Sequence, residues 1–116
     1  VTIPDALDAV VDQLVDAGLP ATRDNGAFYP APIGVLVGMP SVTGGGLQTR
    51  TLNVPVHVVS SDPPSPQILG LLYAAADDAA DALQTATYSP TTWQGGPNAE
   101  PLPAILLNVT VTIERT

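Results

Sequence analysis

A chain of 116 residues has the size of one domain, and without cysteine it has neither a disulfide framework nor a thiolate metal site. Lysine is absent too, and three arginines stand against eleven carboxylates. The formal charge of −8 opposes nucleic-acid phosphates, whose binding depends on basic groups displacing counterions, so sequence-specific nucleic-acid binding is not expected.

In chain order, Thr2 is the cap of a first helix, with Asp5 three residues later as its capping-box partner. Apolar Ile3, Leu7, Val10, Val11, Leu14 and Val15 recur at helical spacing, and Asp5, Asp8, Asp12 and Asp16 fall on the other side. Gly18 supplies a left-handed stop, Leu19 packs back on the last turn, and Pro20 forbids continuation.

Ala21 to Asp24 reads as a short strand and Asn25 to Pro32 as a turn-rich stretch. Ile33 to Gly38 reads as a buried, central strand whose two glycines indicate close backbone approach or a bulge. Met39 to Thr49 contains Gly44-Gly45-Gly46, which no packed element favours, and is expected to be a mobile hairpin tip or an arm that orders on a partner. The next strand alternates Leu52, Val54, Val56 and Val58 against Thr51, Asn53, Pro55 and His57, so one face is buried. Pro55 lacks a ladder donor, which favours an edge strand or a bulge over a central position.

Ser65 caps and Pro66 opens a second helix that runs to about Leu83. Ile68, Leu72, Ala75, Ala79 and Leu83 form its inner stripe, and Asp77, Asp78 and Asp81 face water. Two last strands, near Thr87 to Gln94 and Ala104 to Arg115, flank a loop from Gly95 to Pro103. The sum is a single α+β domain over residues 1–116. Its order is α-β-β-β-α-β-β, with two helices on one face of a mostly antiparallel or mixed sheet of about five strands.

Residue types suited to chemistry are scarce. The acidic stripes lie opposite apolar faces, the pattern of a solvated helix surface, and lack the calcium-loop spacing of acids around a central glycine, so no metal or other cofactor is expected. His57, the sole histidine, sits on the polar side of a strand without an acid or hydroxyl at a motif spacing, and a surface or interface histidine is expected rather than a general base. Gly44-Gly45-Gly46 is followed by neither Lys-Ser/Thr nor a helix, so it is a turn and not a phosphate loop. Phe28, Tyr29, Tyr73, Tyr88 and Trp93 are too scattered for a base-stacking platform. Trp93, beside Gly95-Gly96, is kept as an interface anchor. These features point away from an enzyme and toward assembly, because long strands have edges that copies of one chain can pair. No apolar run approaches the roughly 20 residues that span a bilayer, and the chain opens without the basic-then-apolar plan of a signal peptide, so a protein made and used in the cytoplasm is expected.

Several stretches carry a resemblance. Thr2-Ile3-Pro4-Asp5-Ala6-Leu7, Ala27-Phe28-Tyr29-Pro30 through Gly38, Val54-Pro55-Val56-His57-Val58-Val59-Ser60, Leu72-Tyr73-Ala74-Ala75-Ala76-Asp77-Asp78-Ala79 and Asn98-Ala99-Glu100-Pro101-Leu102-Pro103-Ala104 resemble the tail terminators of long-tailed actinobacteriophages. The resemblance spans nearly the whole chain and rests on overall texture, not on a catalytic motif. It implies a virion protein, assembled in the host cytoplasm, that forms a homohexameric ring on the tail tube and stops its polymerisation. Its partners would be its own copies, the tail-tube protein and the head-side connector, with DNA passing through an acidic lumen and no membrane involved. Subunit contacts are then expected from the Gly44 to Arg50 arm and the Gly95 to Pro103 loop: Gly44, Gly45, Gly46, Arg50, Trp93, Asn98 and Glu100. Arg50 is a cross-subunit partner for a carboxylate, or else an ordinary surface pair. A head-closure or neck protein shares size, symmetry and acidity, and a small-ligand-binding α+β domain is the alternative of a different class.

Overall fold

The computed structural model describes residues 2–24, 28, 33–62, 65–85, 87–94, 97 and 99–114. Along the chain run α1 (Ile3–Asp16), β1 (Ala21–Thr22), β2 (Ile33–Val37), β3 (Ser41–Gly44), β4 (Thr49–Ser60), α2 (Pro66–Leu83), β5 (Tyr88–Trp93) and β6 (Leu102–Glu114). The result is a single α+β domain with one mixed six-stranded sheet of order β1-β2-β4-β6-β5, and β3 pairs with β4 off that path. The sixth strand, β3, lies inside the stretch expected to be only an arm or a hairpin tip. Gly44 is its last residue, and the turn proper begins at Gly45.

Local signals account for both helices. The Thr2 hydroxyl accepts from the Asp5 N–H at 3.3 Å while the Asp5 carboxylate accepts from the Thr2 N–H at 3.2 Å, a reciprocal capping box. At the other end Gly18 takes φ +87°, and the Leu19 N–H reaches back to the Leu14 carbonyl at 3.1 Å. Ser65 caps α2 by accepting from the Ile68 N–H at 3.2 Å, and Gln84 closes it in the left-handed conformation. Both helices lie on one side of the sheet. A single core joins Ala6, Leu7, Val10 and Leu14 of α1, Leu72, Ala76, Ala79, Ala80 and Leu83 of α2, and alternate residues of β2, β4 and β6.

The strand carrying Pro55 is not an edge. β4 is central, flanked by β6 on one side and by β2 and then β3 on the other. Pro55 is tolerated because of where the flanking strand changes. β2 pairing ends at Val37 opposite Val56, and β3 pairing begins at Ser41 opposite Asn53. Pro55 sits in the seam, its carbonyl accepting from the Gly38 N–H at 2.7 Å. Since the N–H and C=O of one strand residue share a side, its missing donor points into the gap, where no ladder bond is lost. Gly38 completes the seam, for a Cβ there would lie 3.0 Å from Pro55 Cγ.

The expectation that β4 buries one face holds over most of its length, with one departure. Leu52, Val54, Val56 and Val58 are fully buried toward the helices, and Thr51, Asn53, Pro55 and His57 are only partly covered. At the end of the strand, Val59 is also fully buried, although alternation turns it away from the helices. Leu36 and Ala104 are buried on that same far side, where Trp93 meets Phe28 edge-to-face at 5.1 Å.

Within α1 the apolar stripe is narrower than the periodicity predicts, because Val15 is 50% exposed beside fully buried Leu14. Leu14→Ala is therefore expected to destabilise the fold by about 2–5 kcal/mol in urea unfolding, whereas Val15→Ala should stay within about 0.5 kcal/mol. Equal effects of the two substitutions would contradict this packing.

Candidate functional site

The residues expected at contacts fall into two groups at opposite ends of the sheet. Gly44, Gly45, Gly46 and Arg50 belong to the β3–β4 hairpin, where Arg50 pairs with Ile113 near the end of β6. Trp93 pairs with Leu102 at the start of β6, and exposed Glu100 lies just before it. The 13 residues of β6 at ~3.3 Å each separate the groups by roughly 40 Å. Asn98, with Gly95 and Gly96, lies outside the described residues. Nearby, Gln94 donates from Nε2 to the Ala99 carbonyl at 2.6 Å.

The hairpin is an exposed arm. Every residue of β3 is exposed, Val42 to 56%, and the apolar side chains of Met39 and Leu47 are 89% and 93% exposed. The three glycines of its tip are not equivalent. Gly45 takes φ +142°, and a Cβ there would collide with the Thr49 carbonyl and lie 2.9 Å from Arg50 Cα. Gly44 has open space around its Cβ position, and Gly46, whose N–H donates to the Thr49 hydroxyl at 3.2 Å, has only that hydroxyl near.

Charge is distributed unevenly around the arm. Between Asp24 and Asp62 the sequence contains no carboxylate, and its one cation at neutral pH is Arg50. The helices carry the opposite character: Asp5, Asp8, Asp12 and Asp16 of α1 and Asp77, Asp78 and Asp81 of α2 are all exposed. Arg23 is held by Asp8 through an Nε–Oδ1 ion pair of 2.5 Å, which raises the arginine pKa further. Half-buried Arg50 forms no ion pair with another described residue. The Tyr88 hydroxyl donates to Asp77, and that bond raises the tyrosine pKa. Hydrogen bonds with Thr2 hold the Asp5 carboxyl below its ordinary value.

A groove of about 410 Å³ runs between α1 and the last residues of β6. Its walls are Asp5, Ala6, Ala9, Val10 and Gln13 of α1, Leu83 at the end of α2, and residues 109–113 of β6. Among the described residues, no group of three or more His, Cys, Asp or Glu is placed to hold a metal ion. No helix of the described chain is long and apolar enough to cross a membrane.

His57 lies opposite Leu36 and Leu106 on the far face, and burial lowers its pKa below 6.5. The chain matches no family model, and no curated protein and no solved structure is significantly similar to it. Sequence reasoning missed the exposed apolar side chains of the arm and the groove. Met39, Val42 and Leu47 stand in a glycine-rich stretch where no periodicity marks a strand, and the groove exists only once α1 crosses β6.

Two outcomes follow. Gly45→Ala is expected to lower the thermal midpoint by several degrees while Gly44→Ala leaves it unchanged, because Gly45, unlike Gly44, occupies a conformation closed to other residues. For His57 the folded pKa lies below the unfolded one. Between the two, the unfolded chain binds more protons, so stability falls as the pH drops from about 6.5 through the folded pKa. Urea midpoints measured from pH 8 to pH 5 should show a shallower decline in His57→Gln than in the parent protein; parallel declines would refute this.

Proposed function

We propose that this protein is a structural component of a long-tailed phage virion, a tail terminator that forms a ring on the tail tube, ends its polymerisation and joins the tail to the head-side connector. The observation that carries this reading is the arm: a carboxylate-free, apolar hairpin with one arginine, projecting from an otherwise acidic domain. An exposed apolar strand is a liability in a free chain and a joint in an assembly. The stretches that resemble tail terminators run from Thr2 to Leu7, Ala27 to Gly38, Val54 to Ser60, Leu72 to Ala79 and Asn98 to Ala104, and so span nearly the whole chain. The formal charge of −8 suits a conduit for DNA, since like charge denies phosphates a resting place.

In this role the arm makes subunit contacts, and Arg50 finds its carboxylate on a neighbouring copy. Trp93 and Glu100, at the opposite end of the sheet, form a second contact region with Asn98 as the resemblance implies, toward a neighbour or the tube. Native mass spectrometry of the protein, alone and mixed with the tail-tube protein, tests the reading. A sixfold species bound to the tube is the expected result, and Arg50→Ala should reduce its yield without shifting the thermal midpoint of the monomer. Capture of a portal or adaptor in place of the tube would reassign the chain to the neck. Monomers or dimers that ignore all of these partners would remove it from the virion junction altogether.

A further inference from the structure

Among the described residues two strand edges lack a neighbouring strand, and they are complementary. β6 is paired with β4 along Ala104 to Glu114, but β5 covers its other side only from Leu102 to Leu107. Beyond that point no described strand lies beside it, and the edge forms one wall of the groove under α1. The direction of its peptide groups follows from Pro55. Because Pro55 turns its carbonyl toward Gly38, Asn108 opposite it turns its own peptide group outward. The Thr85 hydroxyl, which donates to the Asn108 carbonyl at 3.5 Å, lies on that outer side. Alternation then turns the N–H and C=O groups of Thr110 and Thr112 outward as well.

The second open edge is β3. Its residue Val42 lies opposite Leu52 and, by the same alternation, presents its N–H and C=O away from β4. Its side chain shares the helix-side face with Leu52 and is 56% exposed. The other sheet edges are closed to such pairing. β5 carries Pro90 with its missing donor on the outer side, and β1 has only two residues.

We propose that copies of this chain join edge to edge, β3 of one copy adding to β6 at Asn108 to Glu114 of the next, with Val42 seated in the groove between α1 and β6. The inference rests on the self-assembly in the proposed function, and names the surfaces that perform it. Backbone pairing requires an extended segment, and the apolar floor formed by Ala6, Ala9, Val10, Val109 and Ile113 suits a valine. Charge selects the arm as occupant. The groove wall carries Asp5 on a helix that also bears Asp8, Asp12 and Asp16, and the incoming segment has no carboxylate and brings Arg50. The two surfaces differ, so the contact is head-to-tail and propagates from copy to copy until a ring closes. In a ring whose axis runs along the strands, the new pair is parallel, since β3 and β6 both run antiparallel to β4.

The absence of cysteine makes the contact directly testable. A Val42→Cys preparation is mixed with an Ala9→Cys preparation, at high concentration and again with tail-tube protein, and treated with a short bis-maleimide. Cross-links between the two variants, exceeding those within either alone, are the expected result. Val42→Asp, at an exposed edge position that leaves the core intact, should abolish the oligomer and keep the monomer's circular dichroism and thermal midpoint. A sixfold species on the tube without the mixed cross-link, or one that survives Val42→Asp, overturns this inference and leaves the terminator reading standing. A mixed cross-link in a protein that ignores the tube supports the inference and defeats that reading.

Discussion

The pairing of β4 with β6 is the constraint on which the rest of the molecule depends. Thr49 through Val59 are matched residue for residue with Glu114 through Ala104, without a register shift. The other strands build outward from this ribbon: β2 and β3 share one side of β4, β1 adds beyond β2, and β5 takes part of the far side of β6. The alternation along these two strands also decides where the helices pack. Leu52, Val54, Val56 and Val58 align with Val111, Val109, Leu107 and Ile105, and a slip of one residue would turn that layer to the solvent face. Near-zero exposure along most of it means that such a slip would forfeit most of the core.

The ribbon outruns its neighbours, and the candidate assembly surface follows from that excess length. β2 stops at Val37 and β5 begins only opposite Leu107, so β4 and β6 continue together with β3 as the one described strand beside them. At one end of the sheet the far face is closed by Leu36, Val59, Ala104 and the Phe28–Trp93 pair. At the other, backbone edges and apolar side chains remain exposed. The separation of charge reinforces the asymmetry, with carboxylates along both helices and none from residue 25 to residue 61. A chain of like copies at −8 each repels itself in general, so contact is favoured where one partner lacks acid groups.

Prolines show how the sheet handles its edges. Pro55 and Pro90 both stand inside strands, yet each directs its missing donor to a place where no ladder bond is required: a seam in one case, an outer edge in the other. Pro55 thereby allows β4 to change partners without an unsatisfied amide. Pro90 blunts the β5 edge and β1 is only two residues long, so among the described strands β3 and the last half of β6 are the edges able to accept a strand.

Both helices were legible in the residues themselves, because their determinants are local. Thr2 with Asp5, Gly18 with Leu19, and Ser65 with Pro66 act within a few positions of chain, and the observed boundaries follow them. The α+β class and the placement of both helices on one face were equally legible from the apolar periods. Three things were decided only in the tertiary structure. Pro55 reads as an edge marker because the sequence does not show that β2 ends and β3 begins opposite it. β3 escapes notice because its four exposed residues have no core face to generate a period, and only pairing with β4 makes them a strand. The groove beside β6 arises where an early helix crosses the last strand, and the open edge there reflects the relative lengths of β5 and β6. Strand pairing and its ends are set by long-range register, and such contacts between distant segments leave no local trace in the chain.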